Sequence, residues 1–178
     1  SVISTVGPTM SWVALHRQHH AQSDREGDPH SSYANDKFSF KEAIKVWLGY
    51  DWKVPNIPVK YIKDLMRSPT HKFIFKNYFK IIFAFSIVLL LIDPVLWLFA
   101  YVVPASMTVH LIGVVNVLGH YHGYRNHETK DRSSNSWIAN IVSLGEGWHN
   151  NHHAKPGNYH TGEKWWEWDL MGSLIKLI

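Results

Sequence analysis

The chain contains no cysteine. That excludes a disulfide framework, a thiolate zinc site and a cysteine-held iron–sulfur cluster, so any metal must be bound through nitrogen and oxygen. Lysine and arginine are missing from residues 81–124, where Asp93 is the one acid in 44 residues. Stretches of that length without a cation are rare in soluble domains, although a buried soluble hairpin is the competing reading. No methionine opens the chain: Ser1 leads into an apolar run without a start signal, and we expect an amino-terminal part to be missing. The net charge of +4 comes with no basic cluster or known module, so nucleic acid is not expected as a partner. At 178 residues the chain holds at most one domain.

Histidine is plentiful, with 13 against 14 acids, and there are 9 tryptophans. The motif Gly145-Glu-Gly-Trp-His-Asn-Asn-His-His153 places His149, His152 and His153 within five residues, and His16-Arg-Gln-His-His20 repeats the pattern with His16, His19 and His20. On a helix, residues i, i+3 and i+4 share one face. Neutral imidazole is a common metal ligand, and three on one face have little structural purpose without an ion. Adjacent histidines point about 100° apart on a helix, so His152 and His153 do not serve one ion together. Two such clusters suggest a two-metal centre in which each helix feeds both ions. A surface histidine run is the bland alternative, and the repetition argues against it.

Residues 1–15 are apolar and small, broken by Gly7-Pro8, and read as the end of a membrane helix. A polar, turn-rich loop follows to Asp36. Residues 37–52 interleave Phe38, Phe40, Ile44, Trp47, Leu48 and Trp52 with Lys37, Lys41, Glu42 and Lys45. That pattern fits either a helix in the headgroup region or an ordinary amphipathic helix, ended by Val54-Pro-Asn-Ile-Pro58. The cation-free stretch reads as a membrane hairpin with arms at about 73–92 and 95–118, a turn at Asp93-Pro94 and a kink at Pro104. Lysines 72–80 and then Arg125, Lys130 and Arg132 flank its open ends, which places both ends in the cytoplasm. Asn116 and His120 form an i, i+4 pair where the second arm returns, and His120 is expected to be a further ligand. His110 lies ten residues deeper and is expected to hydrogen-bond a neighbouring helix. Residues 133–144 have a capping signal before an apolar stretch and can carry the second cluster on a helix end. Trp165-Trp-Glu-Trp-Asp-Leu170 then suggests either an interfacial helix or a soluble helix packed on the cap.

These residues together resemble the membrane-bound fatty acid desaturases, the stearoyl-type Δ9 branch above all, along the whole chain. Gly7-Pro8 with Trp12-Val-Ala-Leu-His-Arg-Gln-His-His20 resembles the second histidine box of the family, and Ser23-Asp24 with Asp28-Pro-His30-Ser31 the sequence after it. Asn116-x-x-x-His120 and Gly123-Tyr-Arg-Asn126 resemble the fourth membrane helix and its exit. Gly145 to Ala154 resembles the third box, and Trp165-Trp-Glu-Trp-Asp169 a later motif.

The resemblance implies an all-α integral membrane enzyme: a helical hairpin with a cytosolic or interfacial cap holding a histidine-rich di-iron site. It divides a single desaturase domain into residues 1–15 (end of a membrane helix), 16–72 (first part of the cap), 73–118 (hairpin) and 119–178 (second part of the cap). Two Fe ions are implied, held by His16, His19, His20, His120, His149, His152 and His153, with Asn116 acting through water. Trp12 and Ile112 are the implied substrate-tunnel residues; Ile112-Gly113 stands where the family often has Thr-Trp. The implied reaction uses O2 and two electrons from ferredoxin or cytochrome b5 to make a cis-monounsaturated acyl chain. The acyl substrate would be linked to CoA, a lipid or a carrier protein. The family's first box, HxxxxH, is not in the sequence, in line with the expected truncation, and the fragment alone is expected to be inactive. His122 and His127 are treated as spectators. Soluble carboxylate di-iron bundles need two Glu-x-x-His motifs, and the single one here, Glu146-x-x-His149, overlaps the box. A related hydroxylase or ketolase, or a non-catalytic membrane metal-binding protein, are the alternatives.

Overall fold

The computed structural model describes residues 4–49 and 58–177. The first three residues of the apolar lead-in, Trp52 and most of the Val54-to-Pro58 break lie outside the described residues. The scaffold is a long hairpin. Ser68 caps α3 (Pro69–Ile92), whose proline occupies a first-turn position where no N–H is needed. Asp93 then ends one helix and starts the next. Its N–H bonds to the Leu89 carbonyl at 3.0 Å, and its carboxylate accepts from the Leu96 N–H at 2.7 Å, opening α4 (Pro94–Trp97). The second arm continues through a π-helical turn (Leu98–Val102) into α5 (Val103–Gly119). That turn answers the expectation of a kink at Pro104. Proline has no N–H to donate and its ring crowds the carbonyl four residues back, and a locally widened turn absorbs both defects.

The arm from Pro94 to Gly119 has 26 residues, about 39 Å at 1.5 Å per residue. A bilayer's hydrocarbon core is about 30 Å thick, so the upper turns of α5 stand above it. Phe79 is 78% and Leu91 80% exposed, as side chains facing lipid rather than protein must be.

A mostly helical cap sits on the open end. Helix α1 (Thr9–Gln22) begins at Pro8 and packs through Met10 and Ala14 on Ile62. The Gly7 N–H donates to the Tyr78 hydroxyl of α3 at 3.0 Å, and Arg17 pairs with Asp64 at 2.8 Å. The polar loop ends in an element the sequence did not announce, a two-residue hairpin of β1 (Tyr33–Ala34) and β2 (Lys37–Phe38). Asn35 and Asp36 carry φ of 50° and 63°, the left-handed pair that such tight hairpins need. Helix α2 (Phe40–Trp47) then runs alongside the upper part of α5, burying Ala43 and Val46 against Val117. Gly113 permits this approach, since a Cβ there would lie 2.5 Å from the Trp47 carbonyl oxygen. His110 accepts a hydrogen bond from the Trp47 indole at 3.1 Å, the role expected of it.

Ser136 caps α6 (Trp137–Ser143), but the second histidine cluster is not on that helix. Leu144 and Gly145, with φ of 62° and 147°, turn the chain, and the cluster has its own helix, α7 (His149–Ala154). Helix α8 (Leu170–Ile175) starts at Asp169, which accepts from the Gly172 N–H at 2.7 Å. The tryptophans of the 165–168 motif therefore precede the helix instead of forming it. An acidic N-cap ends the run of side chains that looked helical.

Candidate metal centre and substrate cavity

Three elements converge at the mouth of the hairpin: α1, α7 and the C-terminal end of α5. The seven histidines expected to act together fall into two groups. His19, His120, His149 and His153 form one, and His16, His20 and His152 the other; within each group the potential ligand atoms lie within 4.8 Å of one another. Helical geometry makes the division. His19 and His20 are neighbours in sequence and point into different groups, as do His152 and His153. Helices α1 and α7 thus each contribute to both, and α5 adds His120 to the larger.

In the larger group the Nε2 of His149 lies 3.1 Å from those of His120 and His153. In the smaller, His16, His20 and His152 form a triangle of Nε2 atoms with sides of 3.1, 2.9 and 3.2 Å. Metal–nitrogen bonds of about 2.1 Å at right angles would place ligand atoms about 3.0 Å apart.

Hydrogen bonding does not account for the larger group. His19 donates from Nδ1 to Asp28 at 2.8 Å, His120 to Asp24 at 2.9 Å and His153 to Asp131 at 2.9 Å. Burial alone would raise these three carboxyls. The imidazole hydrogen bonds outweigh it and hold each below the ordinary aspartate range, so all three are ionised and can only accept. A neutral imidazole carries one N–H. In the neutral form, with that N–H committed at Nδ1, the Nε2 of His19, His120 and His153 each presents a lone pair. The buried Nε2 of His19 has no hydrogen-bond partner. His149 can donate to one neighbour at most. The donor set is therefore three bare nitrogens around a fourth, which fits a cation at their centre.

Burial and mutual repulsion also favour the uncharged form of five of the rings. Burial, helped by His152, His19 and other imidazoles, pushes His16 down to about 3. Burial, then His19, pushes His152 to about 4. His153 falls to about 3 despite the opposing pull of Asp131, and His20 and His149 are lowered by the same causes.

The aspartates are residues that sequence reasoning missed. Ser23 ends α1, Asp24 takes φ of 59°, and the loop folds back so that Asp28 lies behind His19. Acids four and eight residues beyond His20 were the available signal. Nothing in the sequence marked Asp131. Also unforeseen was how α7 is held, because its N-cap, Trp148, has no side-chain capping bond. Asn135, fully buried, supplies the cap from elsewhere: its Oδ1 accepts from the N–H groups of Asn150 and Asn151 at 3.0 and 3.2 Å. Glu167 accepts from Tyr124, Asn126 and Asn151, and these bonds overcome burial to keep it below the usual glutamate range. Gly119 completes the arrangement; a Cβ there would lie 2.7 Å from the His149 ring.

Beside the metal-binding groups is a cavity of about 500 Å³ lined by residues of α1, α5, the α6–α7 turn and α8. His16, His149 and His152 face it, as do the predicted tunnel residues Trp12 and Ile112, with Thr108, Leu111 and Val115 continuing along α5. Asn116 lines it too, with its Nδ2 buried and unpartnered. His127 pairs with Glu163 at 2.8 Å and is in neither group. His122 is exposed, outside both groups as well.

Comparison with known proteins agrees with this arrangement. The chain is 35% identical, over 97% of its length, to an sn-1 stearoyl-lipid 9-desaturase of Synechocystis sp., of which it covers 53%. It is 33% identical, over 97%, to an enzyme of the same name from Anabaena variabilis, covering 62% of it. Against Delta-9 acyl-lipid desaturase 1 of Arabidopsis thaliana the identity is 30% over 99% of the chain and 58% of the relative. The chain thus spans little more than half the length of these relatives. Residues 2–167 match the fatty acid desaturase family model, and with its apolar helical hairpin and buried histidine groups the chain belongs to the fatty acid desaturase family.

Proposed function

We propose that this chain carries the metal centre and part of the acyl tunnel of an O2-dependent desaturase that introduces a cis double bond at the 9 position of a lipid-linked saturated acyl chain. The observation that carries the reading is the juxtaposition of two groups of lone-pair-bearing imidazoles with a mainly apolar cavity. The 9 position and the lipid carrier come from the names of the relatives. His19, His120, His149 and His153 would hold one iron, His16, His20 and His152 the other, and Asn116 would reach the centre through water. Bound iron supplies the O2 activation needed to remove hydrogen from an unactivated methylene.

The protein's own part is positional. Asp24, Asp28 and Asp131 fix the tautomers of three ligands. Trp12, Ile112 and Val115 hold the chain beside the imidazoles and keep water out. From the level of Asn116 to Thr108 is about 12 Å along α5. Carbon–carbon bonds of about 1.5 Å at about 111° advance roughly 1.25 Å per carbon, so this depth holds roughly nine or ten carbons, close to the methyl-side half of a stearoyl chain cut at position 9. Ferredoxin or cytochrome b5 would supply the two electrons, with the metal side of the cap in the cytoplasm.

The test is lipid analysis of a desaturase-deficient host expressing the complete reading frame that contains this chain. A 9-monounsaturated product is expected, abolished by His152→Ala or His153→Ala. Hydroxylated product without alkene, or normal turnover in either variant, rejects the proposal.

A further inference from the structure

Helices α6 and α8 leave large apolar side chains exposed beside the cavity. On α6 and its C-terminal turn, Trp137 is 41%, Ile138 57%, Ile141 60%, Val142 43% and Leu144 42% exposed. On α8, Leu170, Met171, Leu174 and Ile175 are each between 40% and 51% exposed. The two helices are joined, because the Leu144 carbonyl accepts from the N–H groups of Leu170 and Met171 at 3.0 and 3.1 Å. Val142, Leu144 and Met171 belong both to this exposed face and to the cavity wall, whereas Trp12, Leu111, Ile112 and Val115 on α1 and α5 are at least half-buried.

The level of this face is set by contacts with α5. The Ser134 N–H bonds to the Gly119 carbonyl at 2.6 Å, and residues 142–144 share a cavity with Leu111, Ile112 and Val115. Helix α6 therefore descends along α5 from its end to positions four to eight residues lower. Measured from Asp93, about 30 Å of hydrocarbon reaches roughly residue 114 of this arm. The lower end of this face, at Val142 and Leu144 with Met171 beside them, thus reaches the level of the hydrocarbon edge on α5.

We infer that the cavity opens between α6 and α8 into the bilayer, and that acyl chains reach the metal centre sideways from the membrane, the partner being the hydrocarbon of a membrane lipid. The inference rests on the proposed function and adds its route of substrate access. A chain still joined to a glycerolipid then needs only to slide past Val142 and Met171, its headgroup staying at the interface. A tunnel mouth facing water would require the whole lipid to be extracted.

This chain has no cysteine, so once any cysteine elsewhere in the complete protein is replaced, single cysteines can be placed at will. In the complete protein, reconstituted in phosphatidylcholine vesicles, single cysteines Ile141→Cys, Leu174→Cys and Glu128→Cys carry an environment-sensitive fluorophore. Brominated lipid is expected to quench the labels at 141 and 174, and aqueous iodide the label at 128. Val142→Trp and Met171→Trp, which narrow the mouth, should lower turnover of lipid-linked substrate while the bound metal content stays at the unsubstituted level. Iodide quenching at 141 and 174, shielding of both from both quenchers by other protein, or full turnover in both tryptophan variants overturns the inference. If the unsubstituted protein makes no alkene, the proposed function fails instead, and the quenching pattern still decides where the face lies.

Discussion

At the scale of single residues, three aspartates matter as much as the histidines they hold. Asp24, Asp28 and Asp131 each take an imidazole N–H, and among the described residues no carboxylate bonds to His16, His20 or His152. Replacing Asp131 by Asn removes the charge that fixes His153 and lets the amide compete as a donor. Outer partners of this kind are worth about 10–100-fold in metal affinity. Asp131→Asn and Asp28→Asn should weaken retention by about that factor, read as metal lost to a chelator over time. Acid should act through the imidazoles themselves. His16, His152 and His153 ionise near 3 to 4 in the folded chain, against about 6.5 unfolded. As pH falls below 6.5 the unfolded metal-free chain takes up protons that the folded one refuses. Stability therefore drops from about pH 6.5 down to about pH 4, each group steepening the loss by up to about 1.4 kcal/mol per unit. Denaturant midpoints of metal-free protein should fall between pH 7 and pH 5; a flat profile would contradict neutral burial.

Among the elements, α7 depends most on the rest of the chain. Six residues make no independent helix, and its first turn is capped by Asn135, fourteen or more residues away. Asn135→Leu would leave two buried N–H groups without acceptors, at about 1–3 kcal/mol each. The expected result is a lower melting temperature and loss of bound metal, in contrast to a substitution at exposed Gly157, around which a Cβ meets nothing within 4 Å. What could be read from the sequence follows the same division. Local spacing revealed the two histidine clusters, the division of His152 from His153, and both arms of the hairpin, because helical periodicity and the lack of cations are properties of contiguous residues. Placing α7 on its own helix, bringing Asp131 behind His153 and fitting the His149 ring against Gly119 depend on partners tens of residues apart, which no window of sequence contains. The tryptophan motif misled for a related reason: its aromatic spacing is compatible with a helix, but the Asp169 cap starts that helix after it.

For the whole molecule, the charge distribution and the hairpin together imply an orientation. Lys72, Lys76 and Lys80 lie on the first three turns of α3, and Arg125, Lys130 and Arg132 follow α5, so both sets flank the open end on which the cap is built. Asp93 alone marks the closed end. The positive-inside tendency counts such short flanking segments, and on that ground we propose that the cap faces the cytoplasm and Asp93-Pro94 the far side. The chain has no cysteine, and with any cysteine elsewhere in the complete protein replaced, the orientation is open to direct labelling: in intact cells, a membrane-impermeant thiol reagent should modify Asp93→Cys from outside and leave Glu128→Cys untouched until the membrane is permeabilised. The reverse pattern would place the imidazole groups on the outer side, away from any cytoplasmic electron donor, and would remove the proposed redox partners along with the orientation.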